Sequence, residues 1–245
     1  MDLKLQDKIA LVTGSGSPIG YGRAIATKLA EEGCDVACVD INLEWAEETA
    51  EMVRGIGRQS MAAKADVRDR AEVDAMVEAV VERFGRIDIL ANNAGASAKE
   101  KPFMEMTRED WDIDIQTNLY GQMNVAHAVI PYMAKQRYGR IINTSGGQGI
   151  PTISVYGAAK AGVEAWTHAL ALEAAPMGII VNGISPGLGA TGLVARNTQE
   201  FMEVNRQRSA LRRLCRPDDV APAVAFLASD VCSYMVGQWL RLGTF

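Results

Sequence analysis

Short segments made almost entirely of apolar residues alternate along this chain with longer segments whose apolar residues recur at helical spacing. This alternation is typical of α/β proteins, in which a helix follows each strand and returns the chain to a parallel neighbour in the same sheet. We expect strands, in chain order, at residues 9–12, 36–39, 59–65, 87–91, 140–144, 179–182 and 238–242. The sequence therefore predicts an α/β fold: a doubly wound, seven-stranded parallel sheet with helices on both faces, forming one domain over residues 1–245.

Four segments between the strands carry a clear helical pattern. Residues 73–84 place their apolar side chains on one face of a helix. A long helix is expected from 115 to 133, another from 156 to 172, and a last one after Pro217, a residue that suits the first turn of a helix. These helices would cover both faces of the sheet.

Composition excludes several classes of function. The chain has 25 Lys and Arg against 30 Asp and Glu, a net charge of −5, which disfavours nucleic acid or an anionic membrane as a partner. It has no apolar run of the roughly 20 residues that span a bilayer, and its four cysteines include no C-x-x-C pair. We therefore expect a cytoplasmic protein with free thiols. The two histidines, His127 and His168, have no partner at ligand spacing, and so we expect no catalytic metal.

A glycine-rich loop follows the first predicted strand. Residues 13–22 read Thr-Gly-Ser-Gly-Ser-Pro-Ile-Gly-Tyr-Gly, and strong helix formers follow. A strand, a glycine turn and a helix in this order present free main-chain N–H groups and the positive end of a helix dipole to an anion. Such a loop alone is a weak signal that also fits a flexible turn. We expect Gly14, Ser17, Ile19 and Gly20 to contact the diphosphate of a dinucleotide.

Two carboxylates follow the next two strands. Asp40 ends the second strand, where it could accept hydrogen bonds from both ribose hydroxyls of an adenosine and repel a 2′-phosphate, which favours NAD over NADP. The alternative role of Asp40 is to cap the helix that begins near Asn42. Asp66, with Val67 beside it, could bind the adenine, or Asp66 could cap the following helix.

Further motifs make the chain resemble the short-chain dehydrogenase/reductase family over nearly its whole length. They are Asn92-Asn93-Ala94-Gly95, Asn118, Tyr156-Gly-Ala-Ala-Lys160, 182–187 followed by Thr191, 213–220 and 226–230. The resemblance implies a Rossmann-like fold and hydride transfer between a nicotinamide cofactor and an alcohol or carbonyl compound. A small-molecule substrate and a homo-oligomer, tetramer or dimer, are implied in the same way.

The chemistry explains why a tyrosine and a lysine are needed. An alcohol must lose its hydroxyl proton as hydride leaves carbon, and a phenol with a pKa near 10 is almost fully protonated at neutral pH. Lys160 lies one helical turn after Tyr156, and we expect its charge to lower the pKa of Tyr156. The resemblance further implies that Tyr156 and Lys160 contact the cofactor, Lys160 at the nicotinamide ribose, and that Asn118 holds a water chain.

The resemblance also assigns residues at the strand ends to the cofactor site. Asn92, Ala94 and Gly95 would line the cofactor. Pro186, Gly187 and Thr191 would meet the nicotinamide carboxamide. Ordinary turn chemistry at strand ends is compatible with the same residues.

Three features depart from the family pattern. Five residues separate Gly14 and Gly20, where most members have three. The position of the substrate-binding serine is taken by Gly146, so either Ser145 serves in its place, or the weaker candidate Ser154 does, or no serine acts. The C-terminal segment 236–245 also departs from the usual pattern, which leaves the oligomer geometry open.

The segment from about 188 to 212 is expected to form a substrate lid. It contains three arginines, and two lysines follow the fourth strand: Arg196, Arg206, Arg208, Lys99 and Lys101. These cations could favour an anionic substrate, although a solvated helix face is the more ordinary explanation. The sequence thus predicts an NAD-dependent oxidoreductase that interconverts a secondary alcohol and a ketone. The alternatives are an NADPH-linked 3-oxoacyl-thioester reductase and a catalytically weak NAD-binding regulatory protein.

Overall fold

A computed structural model describes residues 2–98, 100–189 and 199–243. Seven strands pair in parallel in one sheet of order β3-β2-β1-β4-β5-β6-β7. They are β1 (Ile9–Thr13), β2 (Asp35–Asp40), β3 (Ser60–Lys64), β4 (Ile89–Asn92), β5 (Gly139–Thr144), β6 (Ile179–Ser185) and β7 (Trp239–Arg241). Each strand lies within a few residues of its predicted position, and the predicted fold class is confirmed.

Eight α-helices occur in the described part of the chain. They are α1 (Tyr21–Glu31), α2 (Leu43–Gly55), α3 (Arg70–Phe84), α4 (Arg108–Ile115), α5 (Gly121–Gln136), α6 (Ser154–Ala174), α7 (Gln199–Arg208) and α8 (Pro217–Ala228). The long helix expected at 115–133 begins at the last residue of α4, passes through a π-helical turn, Gln116–Tyr120, and continues as α5. A turn of this kind widens a helix locally, often at functional sites.

Both faces of the sheet are buried, which explains why its strands are apolar without alternation. On one face Ala10 and Val12 of β1 belong to a core with α1 and α8. On the other face Leu11 belongs to a second core with α3 and α5. No helix in the described ranges has both the length and the apolar character needed to cross a bilayer.

The strand order places a crevice at the carboxyl ends of β1 and β4. The chain runs outward from β1 to β2 and β3, then returns to β4 on the other side of β1, and ligands of open α/β sheets bind where the order reverses in this way. The hydroxyl of Thr13 accepts the N–H groups of Asn93 and Ala94, each at 3.0 Å. The two loops that border the crevice are therefore fixed to each other.

Candidate active site

The glycine loop packs too closely on its neighbours to carry side chains at two positions, Gly14 and Gly22. A Cβ on Gly14, whose φ is +63°, would lie 2.8 Å from Ala94 Cα, and one on Gly22 would lie 2.1 Å from the carbonyl oxygen of Gly14. Gly20 precedes α1 and contributes no side-chain cap, so the N–H groups of the first turn have no side-chain acceptor from that residue. This is a cradle suited to a diphosphate.

Asp40 closes one side of this loop. Its two carboxylate oxygens accept the N–H of Gly16 at 2.8 Å and the N–H of Asn42 at 3.0 Å. The helix-capping alternative is taken by Asn42, whose side chain accepts the N–H of Trp45 at the start of α2. Each oxygen of Asp40 keeps a further lone pair, and the carboxylate remains a candidate acceptor for ribose hydroxyls.

Asp66 lies at the end of β3 without capping the next helix. Its carboxylate pairs with Arg68, which lowers the pKa of Asp66, while Asp69 caps α3 by accepting the N–H groups of Ala71 and Glu72. The neighbouring Val67 is buried, and its carbonyl accepts the side-chain amide of Asn124 at 2.9 Å. The adenine-binding roles of Asp66 and Val67 stay predictions.

Hydrogen bonds to α5 on one side and to the glycine loop on the other fix the end of β4 and the segment after it. Asn92 is buried and donates to the carbonyl of Gln122 at 2.8 Å. Asn93, a residue of the same motif for which the sequence predicts no role of its own, donates to the carbonyls of Thr13 and Gly14 at 3.1 and 3.2 Å. Asn93 therefore ties the loop after β4 to the glycine loop.

Asn118 and Lys160 meet at Gly95. A Cβ on Gly95 would lie 2.9 Å from Asn118 Oδ1 and 3.6 Å from Lys160 Nζ, so the missing side chain is what lets the two groups approach. Asn118 is on the π-helical turn, and its Nδ2 donates to the carbonyl of Ala96 at 2.6 Å. Its Oδ1 is buried and has no hydrogen-bond partner. An orphaned acceptor beside a lysine suits a bridging water.

Tyr156 and Lys160 lie one turn apart in the first part of α6, as the spacing predicts. Lys160 is only 2% exposed, and its Nζ donates to the carbonyl of Thr144 at 3.0 Å. The same Nζ is 5.6 Å from the centroid of the Tyr156 ring. The structure therefore brings three of the predicted catalytic residues, Asn118, Tyr156 and Lys160, into one cluster next to the glycine loop.

The protein groups move the pKa of Tyr156 in the direction opposite to the one expected from Lys160. Burial raises the pKa of Tyr156 above 10, and the carboxylate of Asp114 acts in the same sense. Burial also lowers the pKa of Lys160 from 10.5 to about 7, so its amine is only partly charged near neutral pH. The direction is reversed because burial removes both groups from water, which disfavours phenolate and ammonium alike. Helical spacing indicates only the neighbouring charge.

Ser145 is held by three other groups. Its hydroxyl lies 2.9 Å from the carbonyl of Lys160 and 3.0 Å from a carboxylate oxygen of Glu164, and it accepts the Gln148 side-chain amide at 2.7 Å. Glu164 in turn pairs with Arg241 of β7 at 2.8 Å. Ser145 is 4% exposed. Its proposed contact with substrate stays a prediction.

Gly146, the position at which the family pattern expects a serine, has a φ of +124°. L side chains rarely adopt this conformation, so a serine at this position would strain the loop. The third candidate, Ser154, is exposed at the start of α6.

Tyr21 is a site candidate that the sequence argument missed. It opens α1, and its hydroxyl donates to the carbonyl of Gly187 at 3.2 Å. It thereby joins the glycine loop to the Pro186-Gly187 turn that is expected to meet the nicotinamide. Its position between two loop glycines was the available signal, but no local pattern reveals a partner 166 residues away.

Part of the predicted lid falls outside the described residues, as do Lys99, Thr191 and Arg196. The side chain of Arg208 is likewise not described. Of the remaining cations, Lys101 pairs with Asp110 at 2.6 Å and Arg206 pairs with Glu203 at 2.7 Å. These two pairs favour the solvated-face explanation over an anion site.

A cavity of about 260 Å³ lies under the described part of the lid. Its lining includes five mainly apolar positions, Leu188, Leu211, Leu214, Cys215 and Leu242. It adjoins Gly187, and so an apolar part of a substrate could reach it from the predicted nicotinamide turn.

Comparisons with known proteins agree with this geometry. A family model described as enoyl-(acyl carrier protein) reductase matches residues 14–242. The chain is 38% identical over 239 residues to the 3-oxoacyl-[acyl-carrier-protein] reductase FabG of Thermotoga maritima, covering 96% of each protein. It is 36% identical over 241 residues to the (2S)-[(R)-hydroxy(phenyl)methyl]succinyl-CoA dehydrogenase subunit BbsD of Thauera aromatica, covering 96% of this chain and 95% of that one.

Solved structures also resemble the chain over nearly its whole length. An NAD⁺-bound xylitol dehydrogenase superposes with a TM-score of 0.91 at 33% identity, covering 98% of this chain and 99% of the other. A short-chain alcohol dehydrogenase structure from Sinorhizobium meliloti gives a TM-score of 0.92 at 33% identity, covering 98% and 96%. On this combined sequence and structural match, the chain belongs to the short-chain dehydrogenase/reductase family of NAD(P)-dependent oxidoreductases that act on CH–OH groups.

Proposed function

We propose that this protein is an NAD-dependent oxidoreductase that interconverts a secondary alcohol and a ketone, with Tyr156 as the acid/base. The observation that carries the proposal is that Asn118 and Lys160 meet at Gly95, with the ring of Tyr156 beside Lys160, next to the segment that packs on the glycine loop. A proton-transferring side chain must lie within hydrogen-bond reach of its substrate. This cluster borders the crevice in which a dinucleotide would lie.

Each residue of the cluster has its own role in proton transfer. Tyr156 takes the hydroxyl proton of the alcohol during oxidation and returns it during reduction. Lys160 would hold the ribose of the cofactor, and a water bound at the orphaned Oδ1 of Asn118 would exchange protons with its amine. Bound nicotinamide would supply the hydride acceptor and, when oxidised, a positive charge that favours the phenolate. That charge is needed because burial raises the pKa of Tyr156.

Asp40 supports NAD as the cofactor. A 2′-phosphate would meet the buried carboxylate of Asp40, which already accepts the N–H of Gly16. The cation near the loop, Arg23, is bound to the carbonyl of Gly16 and to the carboxylate of Glu48 at 2.8 Å. A phosphate would therefore have to compete with Glu48 for Arg23, and this disfavours NADP.

The cofactor assignment is tested by measuring NADH and NADPH dissociation constants side by side. We expect the wild type to bind NADH at least about tenfold more tightly, and Asp40→Ser to lose most of that preference because the repelling carboxylate is gone. Glu44→Ser removes an exposed charge from the first turn of α2 and serves as the control. Tighter NADPH binding by the wild type would contradict the role given to Asp40.

A second candidate is an NADPH-linked 3-oxoacyl-thioester reductase. It is favoured by relatives that carry the name 3-oxoacyl-[acyl-carrier-protein] reductase at 38–40% identity. A substrate panel separates the two candidates: secondary alcohols with NAD⁺ or NADP⁺, and acetoacetyl thioesters with NADH or NADPH. Turnover confined to the thioesters with NADPH would replace the first proposal with the second.

The role of Tyr156 is tested with the same panel. Tyr156→Phe removes only the hydroxyl, so we expect NADH affinity to stay within about twofold while turnover falls at least about 100-fold. An active Tyr156→Phe enzyme would refute the mechanism.

The lid at about 188–212 and a homo-oligomer, tetramer or dimer, are also part of the proposal. Met104 and Leu172 are exposed apolar side chains that such an assembly would cover. Sedimentation velocity measures the oligomeric state directly, and a monomer would contradict the proposed assembly.

A further inference from the structure

The β5–α6 loop, residues 145–153, lies along one face of α6. That face carries Tyr156, Lys160 and Glu164, which follow one another at intervals of four residues. The loop begins with Ser145, whose hydroxyl lies 2.9 Å from the main-chain carbonyl of Lys160. The start of the loop is therefore bound to the turn of α6 that follows Tyr156.

The middle of this loop packs against the ring of Tyr156. A Cβ on Gly147 would lie 2.8 Å from Cε1 of the Tyr156 ring, and a Cβ on Gly157 would lie 2.9 Å from the carbonyl oxygen of Gly147. Neither contact leaves room for a side chain. The position of the loop thus limits the position of the phenol ring.

The loop has little stiffness of its own. Gly146, Gly147 and Gly149 all have positive φ, and glycine loses more conformational freedom on folding than any other residue. Hydrogen bonds from outside the loop are therefore needed to keep it against the ring.

Glu164 supplies these hydrogen bonds. Gln148 Nε2 donates to Glu164 Oε1 at 2.7 Å and to Ser145 Oγ at 2.7 Å. Ser145 Oγ lies 3.0 Å from the same carboxylate oxygen. One carboxylate on α6 thereby binds two side chains of the loop, one on each side of Gly146 and Gly147.

Glu164 is itself fixed from the last strand. Arg241 of β7 donates to both of its carboxylate oxygens, at 3.0 and 2.8 Å, and such two-point pairs are among the strong charge-assisted hydrogen bonds. Burial by itself raises the pKa of Glu164, but the hydrogen bonds from Arg241 and Ser145 outweigh it and hold this pKa below its usual value. Glu164 is therefore a carboxylate at neutral pH.

We propose that Glu164 is a positioning residue for Tyr156: held by Arg241, its carboxylate binds Gln148 and Ser145 and keeps the glycine-rich loop packed against the phenol ring. The hydroxyl of Ser145 serves this contact, because its one proton lies between two acceptors and one lone pair takes the N–H of Gln148. This inference rests on the proposed function, because it assumes that Tyr156 is the acid/base.

The first test observes the ring and needs no substrate. Proton–carbon NMR spectra are recorded on cofactor-free protein with ¹³C at the ε positions of tyrosine, and the signal that is missing in Tyr156→Phe belongs to Tyr156. With Glu164→Ala we expect this signal to shift or broaden, because the loop no longer stays packed against Cε1. Glu173→Ala, at an exposed position of the same helix, should leave the signal in place.

The second test uses the carbonyl substrate that the panel identifies. A serine that donates to the substrate oxygen loses about 10²- to 10³-fold in kcat when replaced by alanine. We expect Ser145→Ala and Glu164→Ala each to lower kcat only about 3- to 10-fold. The double variant should be no slower than the slower single variant, because residues of one hydrogen-bond network are not additive.

A conservative variant separates positioning from a loss of overall structure. Glu164→Gln keeps an oxygen for Gln148 and Ser145, so we expect it to recover most of the activity that Glu164→Ala loses. NADH affinity should stay within about threefold of the wild type in every variant, since the loop acts on Tyr156. Should Glu164→Ala not fold, Gln148→Ala breaks the same contact from an exposed position of the loop and is assessed in the same way.

The outcomes distinguish this inference from the function on which it rests. An unchanged Tyr156 signal in folded Glu164→Ala overturns the inference alone. So does a loss of 100-fold or more in Ser145→Ala that multiplies with the loss in Glu164→Ala. An active Tyr156→Phe enzyme overturns the proposed function. A changed Tyr156 signal together with small, non-additive losses in kcat supports the inference.

Discussion

Replacing the buried lysine of the site is expected to make the protein more stable while abolishing turnover. Burial lowers the pKa of Lys160 from 10.5 to about 7, and each pKa unit corresponds to about 1.4 kcal/mol. The unfolded chain therefore holds the proton more tightly, and folding loses about 4 kcal/mol at pH 7 but only about 2 kcal/mol at pH 9. This contribution makes stability rise with pH between about 7 and 10.5.

Lys160→Met removes that penalty and keeps a long side chain in the space. The carbonyl of Thr144 loses one donor but keeps the amide of Gln122 at 2.8 Å, so the lost hydrogen bond costs about 1 kcal/mol. We expect the free energy of unfolding to rise by about 3 kcal/mol at pH 7 and by about 1 kcal/mol at pH 9. Urea unfolding of the cofactor-free protein, followed by circular dichroism at both pH values, measures the two differences.

The control is Lys135→Met, at an exposed position of α5, for which we expect changes within about 0.5 kcal/mol at both pH values. A Lys160→Met protein that is less stable than the wild type at pH 7, by a margin independent of pH, would refute the reasoning. That result would mean that the site solvates the ammonium group of Lys160, so that burying its charged form costs no free energy.

Two further substitutions test how the cofactor site is built. Gly16→Ala would bring a methyl group within 2.7 Å of Trp45 Cβ and 2.8 Å of Asp40 Cγ, so we expect NADH affinity to fall about tenfold or more in a fluorescence titration. Gly55→Ala has no atom within 4 Å of the new Cβ and should leave affinity unchanged. Tyr21→Phe loses the hydrogen bond to the carbonyl of Gly187, which predicts a fall of about 3- to 10-fold in NADH affinity. Tyr234→Phe, at a 99% exposed position, is its control, and equal affinities in the two variants would contradict the role of Tyr21.

The strands and the glycine loop could be predicted because each depends on a local pattern. A parallel strand buried on both faces is apolar along most of its length, as the first four of the five residues of β1 are. A loop that packs against main-chain atoms must contain glycine, as Gly14 and Gly22 do. The pairing of Tyr156 with Lys160 follows from helical spacing in the same way.

Other parts of the site depend on contacts between distant segments, which no local pattern encodes. The π-helical turn at Asn118 lies inside what resembles one continuous helix, because apolar spacing does not register a single widened turn. Asp114 resembles an ordinary surface carboxylate until α4 packs against α6. The hydrogen bonds of Ser145 depend on Glu164, which Arg241 in the last strand holds. The pKa of Tyr156 differs from expectation for a related reason, since burial is a property of the folded chain.

The central claim, hydride transfer from NADH with Tyr156 as proton donor, is tested most directly with NADH that carries deuterium at both C4 positions. The protein is incubated with this NADH and either the ketones that correspond to the secondary alcohols of the panel or the acetoacetyl thioesters, and the alcohols formed are analysed by mass spectrometry. We expect a single deuterium on the carbinol carbon of at least one product with the wild type, and no product with Tyr156→Phe. Alcohols formed without deuterium, or formed equally well by Tyr156→Phe, would contradict the account.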